Sequence, residues 1–320
     1  MSALERLGLK GVAVVGKSCS VNQIQTENAF GFKWAKRETY ESPAFKTNTQ
    51  SWLIEKYCAG DVSRLDYWLS GPRKIIVDAG CGAGLSGLLF FGDRLKNHDY
   101  LGIDISSAVE VARQRFLESG MPGDFIKEDL LSIALPDNSI DILFSEGVLH
   151  HTDSTEKSIK HLAKKLVPGG RFLFYVYSKK ALIREFTDDH IRAELKGLSD
   201  EEAWEALRPL TKLGIALGKL NAQVDVEEAI PQLGIPAGKI DLQRFFYWNI
   251  CKAFYRPDFQ IDEMHHINFD WFRPLNCHRQ TPEQVKTWCQ DACLEIEHLH
   301  IEESGITVVA QKKHHDAKEI

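Results

Sequence analysis

A glycine-rich loop is the part of this sequence best suited to binding a small ligand. Residues 77–87 read VDAGCGAGLSG, with glycines at Gly80, Gly82 and Gly84. Glycine lets the backbone turn tightly and approach a ligand at distances where a Cβ atom would collide. Because Leu85 follows Gly84, the spacing is G-x-G-x-G and lacks the third glycine of the dinucleotide fingerprint. The Gly-Lys-Ser/Thr ending of a phosphate loop is also absent, so the pattern disfavours a nicotinamide oxidoreductase and a phosphate loop.

Two carboxylates accompany this loop. Asp78 stands just before it, where it would repel a pyrophosphate but suits a cationic or hydroxyl-bearing ligand. Asp104 lies twenty residues after Gly84, near the end of the apolar segment YLGIDIS (100–106). A carboxylate there can accept both hydroxyls of a ribose, and each charge-assisted hydrogen bond contributes about 1.5–3 kcal/mol. Because α/β proteins bind ligands at the carboxyl ends of parallel strands, we expect Asp104 to lie at the same edge as the loop.

An adjacent pair of histidines, His150 and His151, follows the apolar segment SIDILFSEG (139–147). An unperturbed imidazole titrates near pH 6.5, so it can accept a proton near neutrality. The pair is therefore the candidate general base. A second interpretation stays open, in which one histidine only caps or packs the loop while the other is solvated.

The candidate residues stand at the ends of apolar segments that alternate with helical patterns from about Lys74 onward. Short apolar runs are typical of buried parallel strands, and their alternation with helices predicts an α/β fold with a parallel sheet covered on both faces. The predicted strands are residues 74–80, 100–106, 124–130, 139–147 and a fifth strand, RFLFYVYS, after the turn PGG at 168–170.

Capping residues predict where three of the helices begin. In a capping box, the side chain of the residue before the helix accepts a hydrogen bond from the backbone N–H of the third helical residue. The acidic or amide side chain of that third residue accepts in return from the backbone N–H of the capping residue. Gly120 can end the first of these helices, and Pro282 suits the first position of the last one. The predicted starts are Ser107 with Glu110, Asp153 with Glu156, and Thr281 with Gln284.

The chain divides into five predicted segments. An aromatic-rich N-terminal extension (1–72) is expected to cover the ligand edge of the sheet, and residues 73–179 form the core with strands one to five. Residues 180–280 are mostly helical in pattern and are interpreted as an insertion in the same domain. Residues 281–312 supply a closing helix and an antiparallel strand pair, which the tight turn at Ser304–Gly305 favours. The polar tail, 313–320, is expected to fray.

Composition limits the classes of function. The chain has 320 residues, 43% of them hydrophobic, and a formal charge of −6. The apolar content suffices for a packed core, and no early apolar run approaches the roughly 20 residues that span a bilayer, so we expect a cytoplasmic protein with no membrane partner. The acidic balance argues against a nucleic-acid partner.

The cysteines do not form a recognisable framework. Seven scattered cysteines suit reduced thiols rather than disulfides. Cys289 and Cys293 lie four residues apart with His298 and His300 following, but the first pair falls on an amphipathic helix and the histidines on a strand. A zinc site is therefore considered and not predicted.

The motifs together resemble the class I S-adenosylmethionine-dependent methyltransferases, over roughly residues 73–178 and 281–312. VDAGCGAG looks like the first motif of that family, LGIDIS like its ribose-binding segment and KEDLL like its adenine-contacting segment. SEGVLHHT, followed by a helix and LVPGG, looks like the fourth-strand region of the small-molecule branch. The resemblance implies S-adenosylmethionine as cofactor.

The resemblance also assigns roles residue by residue. The three loop glycines would approach the methionine moiety and Asp104 would hold the ribose. Ile105 would lie on the adenine, and Asp129 with Leu130 would hold its edge. Glu146 and Gly147 would line the methionine side. The predicted cofactor-binding residues are Asp78, Gly80, Cys81, Gly82, Gly84, Asp104, Ile105, Asp129, Leu130, Glu146 and Gly147.

The fold implied by the family is a Rossmann-like, seven-stranded, mostly parallel sheet in the order 3-2-1-4-5-7-6 with the last strand antiparallel. The helical insertion after strand five stands where that family often carries a substrate lid. One departure is that the closing helix ends in Ala292 and Cys293, where relatives often have a glycine. Only a local change in the turn is expected there.

The implied reaction is an in-line displacement of a methyl group from a sulfonium, and the leaving sulfide needs neither acid nor metal. The protein must align the reactants, exclude water and, where needed, remove a proton, which is the role predicted for His150 or His151. Alignment can supply about 7–11 kcal/mol, and a positioned base adds roughly 10²–10⁴-fold.

The acceptor is expected to be a small molecule attacked through oxygen, nitrogen or carbon. The alternatives are a protein side chain or a modified tRNA base as acceptor, and a non-catalytic regulator or scaffold that only binds the cofactor. Exposed aromatics in the insertion would also suit a homodimer. The candidate substrate contacts are Phe30, Trp34, Asp270, Trp271, Arg273 and His278.

Overall fold

The computed structural model describes residues 2–9 and 19–314. The chain forms two compact units. The first, which we call the sheet unit, contains the described residues 2–9, 19–23, 48–178 and 278–314. The second, the helical unit, is built from Ile24–Thr47 and Lys179–Cys277. Part of the predicted N-terminal extension thus belongs to the same unit as the predicted insertion.

The sheet unit contains a seven-stranded sheet in the order β3-β2-β1-β4-β5-β9-β8, in which β9 runs antiparallel to both of its neighbours. This confirms the predicted strand order, since β8 and β9 are the sixth and seventh strands of the sheet. The seven strands are β1 (Ile75–Ala79), β2 (Asp99–Asp104), β3 (Asp124–Lys127), β4 (Ile140–Glu146), β5 (Leu166–Tyr177), β8 (Leu294–Ile301) and β9 (Gly305–Lys312).

The strands at the centre of the sheet are continuous apolar runs because both faces are covered. Every residue of β1 and β2 is buried, as expected for parallel strands with helices on both sides. In register, β1 pairs Ala79 with Ile103 on one side and Asp78 with Phe144 on the other. The carboxyl ends of β1, β2 and β4 therefore meet at one edge of the sheet.

Seven helices of the described residues lie wholly or mainly in the sheet unit, and short 3-10 turns occur at Gly92–Asn97 and Leu149–His151. On α6, Val109, Ala112 and Phe116 are buried, which confirms the apolar face predicted for that helix. The helices are α1 (Ala3–Arg6), α3 (Pro43–Cys58), α4 (Ser63–Trp68), α5 (Leu85–Phe91), α6 (Ala108–Glu118), α7 (Thr155–Ala163) and α12 (Pro282–Asp291).

One of the two predicted capping boxes is present. Thr281 and Gln284 cap α12 reciprocally, with Pro282 at the first position. The box predicted at Ser107 is wrong because that residue is already in the helical region, at φ −66° and ψ −4°, so its side chain makes no cap hydrogen bond. The predicted start at Asp153 is also wrong. Ser154 is extended instead, and its hydroxyl accepts from Lys157 N.

Two turns differ locally from expectation. β5 begins at Leu166, before the PGG turn, because Leu166 pairs with Ile140 ahead of a register shift. At the end of α12, Cys293 takes a left-handed conformation with φ +56°. A non-glycine residue there is strained, so the cysteine adopts the backbone geometry that a glycine would favour, and the change stays within the turn.

The helical unit consists of helices and one short β-ribbon that the sequence did not predict. The ribbon pairs β6 (Gln223–Val226) antiparallel with β7 (Gly238–Asp241). Phe32, Trp204 and Phe269 pack ring against ring at centroid distances of 5.1–6.0 Å. The helices are α2 (Val21–Ala35), α8 (Leu182–Leu195), α9 (Asp200–Lys219), α10 (Leu242–Asn249) and α11 (Ile261–Phe272), with 3-10 turns at Arg37–Thr39 and Pro231–Leu233. Across the described residues, no helix combines the length and apolar character needed to cross a membrane.

Candidate functional site

The glycine loop joins β1 to α5 at the carboxyl edge of the sheet. Its backbone is left-handed at Gly80 (φ +86°), Gly82 (φ +49°) and Gly84 (φ +74°). A Cβ atom on Gly80 would lie under 3.0 Å from three atoms of the Val148 side chain. Gly80 N and Cys81 N both donate to the carbonyl oxygen of Ile103, at 2.7 and 2.9 Å. The loop is therefore anchored to β2 in a conformation that other residues would strain.

Asp104 lies against this loop, as expected from the strand pairing. Its Oδ2 accepts from Gly82 N at 2.9 Å, and its Oδ1 accepts from Ser106 N and Ser106 Oγ at 2.8 and 2.7 Å. The residue is buried. These contacts fix the carboxylate at the end of β2. The ribose-binding role of Asp104 stays a prediction.

Asp78 lies beneath the loop and has a partner that the sequence analysis did not identify. Its Oδ2 accepts from the hydroxyl of Tyr100 at 2.5 Å. Burial raises the pKa of Asp78 to about 7, although the Tyr100 hydrogen bond acts in the opposite direction. A Cβ on Gly87 would lie under 3.0 Å from both the Tyr100 hydroxyl and the Asp78 carboxylate. Burial therefore weakens the preference of Asp78 for its charged form, and its role at the cofactor site stays a prediction.

Glu146, at the end of β4, is bound by two residues of α3. Its Oε1 pairs with the ammonium of Lys56, and its Oε2 accepts from the hydroxyl of Tyr57 at 2.6 Å. Lys56 Nζ also lies 3.3 Å from the ring centroid of Trp52 and 4.0 Å from that of Tyr175. Burial lowers the pKa of Lys56 to about 8, while Glu146 opposes the shift. The glutamate is thus held rigidly at the ligand edge.

Lys56 and Tyr57 were not identified from the sequence. They lie in SWLIEKYC, a helical stretch with no motif. The only available signal was a lysine next to a tyrosine, which is common on solvated helix faces. Their partner, Glu146, is about ninety residues away in sequence, so the pairing depends on the tertiary fold.

The remaining cofactor candidates occupy the same unit in different environments. Cys81 is buried, and burial raises the pKa of its thiol well above the usual range. Ile105 is half-buried, and Gly147 has φ +72° with no atom within 4 Å of the position a Cβ would take. Asp129 Oδ1 accepts from Leu131 N at 3.1 Å. The side chain of Leu130 belongs to the apolar core, so that residue can present only its backbone to a ligand.

The histidine pair is buried, so the interpretation in which one histidine is solvated is wrong. His150 and His151 are 0% and 3% exposed. The His150 ring lies 3.7 Å from the ring of Tyr177 and 4.2 Å from that of His151, centroid to centroid. His278 N donates to the carbonyl oxygen of His150 at 2.9 Å, and burial lowers the pKa of the His278 imidazole. The three histidines thus lie together in the sheet unit.

The other substrate candidates lie in the helical unit, where most have partners within that unit. Trp34 packs against Tyr40 and His266, with ring centroids 5.1 and 5.4 Å apart. Phe30 is half-buried with the Lys33 ammonium 5.2 Å from its ring, and Asp270 pairs with that same lysine.

Arg273 is committed to structural contacts. Its guanidinium donates to Asp200 Oδ1 at 2.6 Å and to the carbonyl oxygens of Leu195 and Leu198 at 2.9 Å each. Trp271 is buried, and its indole N–H donates to Asp188 at 2.7 Å. The structure therefore groups the predicted cofactor residues in one unit and places five of the six substrate candidates in the other.

Among the described residues, no group of three or more histidine, cysteine, aspartate or glutamate side chains is placed so that it could hold one metal ion. Cys289 is buried and Cys293 is exposed, so the two cysteines of the rejected zinc pattern occupy different environments.

Part of the sheet unit matches a model of a known protein family. Residues 77–174 match the family described as a methyltransferase domain. The chain is 31% identical over 118 residues to the probable tRNA methyltransferase 9B of Homo sapiens, covering 36% of this chain and 24% of that protein. It is 30% identical over 153 residues to the ubiquinone/menaquinone biosynthesis C-methyltransferase UbiE of Azotobacter vinelandii, covering 44% of this chain and 58% of that protein.

Among solved structures, the magnesium protoporphyrin IX methyltransferase of Synechocystis is similar at a TM-score of 0.47 and 12% identity, covering 93% of this chain and all of that one. The chain matches only about a quarter to a third of the length of the first curated relatives. The residues that match the family model, 77–174, include the glycine loop and Asp104.

Proposed function

From the premise that this chain belongs, through residues 77–174, to the class I S-adenosylmethionine-dependent methyltransferases, we propose that it methylates an oxygen, nitrogen or carbon atom of a small-molecule acceptor. The observation that carries the proposal is the left-handed glycine loop with Asp104 fixed against it by Gly82 N. That arrangement stands at the carboxyl edge of the sheet, where such folds bind their ligands.

S-adenosylmethionine is the cofactor, and the residues at this edge fit it. At Gly80 the Val148 side chain fills the space that a Cβ would take, so a glycine is needed for the loop to pack in this conformation. Asp104 would hold the ribose, and Glu146, held by Lys56 and Tyr57, would face the methionine portion. When bound, the cofactor supplies a methyl group on a sulfonium whose departure as a neutral sulfide needs no acid catalyst. The protein supplies alignment and the exclusion of water.

We assign proton removal to the histidine pair. His150 and His151 lie in the 3-10 turn that follows β4, a few residues beyond Glu146. The Tyr177 ring packs against the His150 imidazole, and the backbone N–H of His278 donates a hydrogen bond to the His150 carbonyl oxygen. These two contacts hold His150 in place. A held imidazole is suited to accepting a proton from an acceptor hydroxyl, amine or acidic carbon. A pre-positioned base of this kind avoids reorganisation during the reaction.

A small acceptor agrees better with the charge of the chain than tRNA does. One relative is named as a probable tRNA methyltransferase and another as a quinone-pathway C-methyltransferase. Binding to RNA is dominated by phosphate contacts and normally needs a basic surface, whereas this chain has a formal charge of −6. We therefore place a modified tRNA base second, and a cofactor-binding scaffold third.

The test is transfer of a labelled methyl group. The full chain is incubated with isotopically labelled S-adenosylmethionine in three separate reactions. One contains a metabolite extract, one contains total tRNA and one contains a protein fraction. We expect products gaining one methyl group in the metabolite extract only, and less of them with the Asp104→Ala variant at limiting cofactor. Label in tRNA would replace the small-molecule proposal with the second candidate. Cofactor binding without transfer to any of the three fractions would favour the scaffold.

A further inference from the structure

Helix α6 presents one face to the second half of the glycine loop. A Cβ atom on Gly84 would lie 3.0 Å from the Cβ atom of Ala112 and 3.1 Å from the ring of Phe116. On the same helix, Arg115 Nη1 donates a hydrogen bond to the carbonyl oxygen of Ala83. Residues three and four positions apart share a face of a helix. Ala112, Arg115 and Phe116 therefore cover this half of the loop together.

Arg115 is buried although its side chain carries a permanent charge. Its exposed fraction is 4%. A buried guanidinium is unfavourable unless its N–H groups find hydrogen-bond acceptors, and the Ala83 carbonyl supplies one of them. A hydrogen bond from an ionised donor is stronger than one between neutral groups. The contact between Arg115 and the loop is therefore a charge-assisted hydrogen bond in the protein interior.

Aromatic packing fixes α6 to the sheet. The Phe116 ring stacks on the Tyr100 ring at a centroid distance of 4.7 Å and meets the Phe125 ring edge-on at 4.9 Å. Tyr100 belongs to β2 and Phe125 belongs to β3. Arg115 therefore extends from a helix whose position is set by two strands, and it connects the glycine loop to that packed layer.

The loop needs such contacts because glycine loses more backbone freedom on ordering than any other residue. The first half of the loop is bound to the last two residues of β2. In the second half, Gly84 N donates to the carbonyl oxygen of Cys81 at 2.7 Å. Arg115 binds the carbonyl oxygen of the same peptide group, which joins Ala83 to Gly84. Both polar atoms of this peptide group are therefore hydrogen-bonded within the protein.

We propose that Arg115 is a positioning residue for the cofactor. By binding the Ala83 carbonyl, its guanidinium holds the peptide group between Ala83 and Gly84 in one orientation and keeps the loop in the conformation that receives the methionine portion. A loop that is ordered before binding has less conformational entropy to lose when the ligand binds. Arg115 acts through Ala83, without a contact of its own to the ligand. The identity of that ligand rests on the proposed function.

The test compares the binding of S-adenosylhomocysteine to the full wild-type chain and to Arg115→Met by calorimetry. Loss of a hydrogen bond from a charged donor corresponds to about 10- to 150-fold in affinity, and we expect a loss in this range. Arg115→Lys keeps a charged donor, so it should bind more tightly than Arg115→Met. Equal affinity in Arg115→Met and the wild type would overturn the proposal.

Two control variants separate positioning from a general loss of stability. Arg113→Met changes an arginine of the same helix that donates to the carbonyl oxygen of Phe125 at 2.9 Å instead of to the loop. Leu162→Ala removes a buried core side chain from α7 and lowers stability. At a temperature well below melting, both should bind S-adenosylhomocysteine as tightly as the wild type. A loss in Leu162→Ala as large as that in Arg115→Met would show that Arg115 has only a structural role.

A spectroscopic readout tests the hydrogen bond itself. Isotope labels on the alanine carbonyl carbon and the glycine nitrogen select the NMR signals of the Ala-Gly pairs, which lie at 59–60, 79–80, 83–84 and 237–238. The carbonyl shift depends on the hydrogen bond that the oxygen accepts, so Arg115→Met should move the Ala83 signal and leave the first and last pairs unchanged. An unmoved Ala83 signal would contradict the contact.

The outcome for the wild type separates this inference from the proposed function. Binding of S-adenosylhomocysteine by the wild type, with equal affinity in Arg115→Met, would remove this inference alone. No binding in well-folded wild-type protein would remove the proposed function together with it.

Discussion

Replacing Gly80 by alanine tests whether the conformation of the glycine loop is required. The residue has φ +86°, and an added Cβ would lie under 3.0 Å from three atoms of Val148. The left-handed backbone costs about 1–2 kcal/mol for a residue with a Cβ, and overpacking adds about 1–3 kcal/mol. We therefore expect a loss of about 2–5 kcal/mol in the free energy of unfolding. Any fraction of the strain relieved by loop movement should appear instead as weaker cofactor binding.

Urea unfolding measures the loss of stability, and calorimetry with S-adenosylhomocysteine measures the cofactor site. Gly120→Ala is a matched control, because Gly120 has φ +65° with no atom within 4 Å of the added Cβ. It should therefore lose only the approximately 1–2 kcal/mol, by order of magnitude about that much, which the left-handed backbone costs. Adding Val148→Ala to Gly80→Ala should restore part of the stability that Gly80→Ala loses beyond this backbone cost. If Gly80→Ala is no more destabilising than Gly120→Ala and binds the cofactor product normally, the contact between position 80 and Val148 does not constrain the loop.

Three further predictions concern side chains at the same edge. His150→Ala or His151→Ala should lower turnover by about 10²–10⁴-fold with cofactor affinity nearly intact, and unchanged turnover in both variants with the true acceptor would remove the pair from the chemistry. Since burial raises the pKa of Asp78 to about 7, the native state holds a proton that the unfolded state releases near pH 4. The free energy of unfolding should therefore fall as pH rises from about 4 to about 7. Urea titrations at several pH values should show a smaller fall in Asp78→Asn, and an equal fall in the variant and the wild type would contradict this role of Asp78. Lys56→Met should cost about 3–5 kcal/mol by leaving Glu146 buried without its cation. Adding Glu146→Gln should recover much of that loss, and a Lys56→Met variant as stable as the wild type would show that the pair is not stabilising.

Much of the fold could be predicted from the sequence because local and global signals agree there. Continuous apolar runs such as β1 and β2 identify buried parallel strands, and the glycine loop marks the strand after which the ligand edge begins. Thr281, Pro282 and Gln284 predict the start of α12 because capping depends only on residues within one turn. The caps at Ser107 and Asp153 were mispredicted because the conformation of one residue decides which side chain reaches the helix end.

The site was predicted less completely because its supporting contacts are long-range. Tyr100 approaches Asp78 only because β1 and β2 pair in one register, and Lys56 reaches Glu146 from a helix about ninety residues earlier. Arg184, Trp271 and Lys252 come together from α8, α11 and the segment after α10, none of which carries a motif. Arg273 shows the reverse error. Its residue type suggested a substrate contact, whereas the fold uses it to bind Asp200 and two helix-end carbonyls.

Binding of the cofactor product is the most direct test of the cofactor site. S-adenosylhomocysteine is titrated by calorimetry into the folded wild-type chain, into Asp104→Ala and into Asp93→Ala, whose carboxylate is exposed and pairs with Lys96 on the surface. We expect one site per chain in the wild type and in Asp93→Ala, and an affinity about tenfold lower or worse in Asp104→Ala, as loss of a charge-assisted hydrogen bond predicts. No heat of binding in well-folded wild-type protein would contradict the central claim, and equal affinity in Asp104→Ala would show that Asp104 does not hold the ribose.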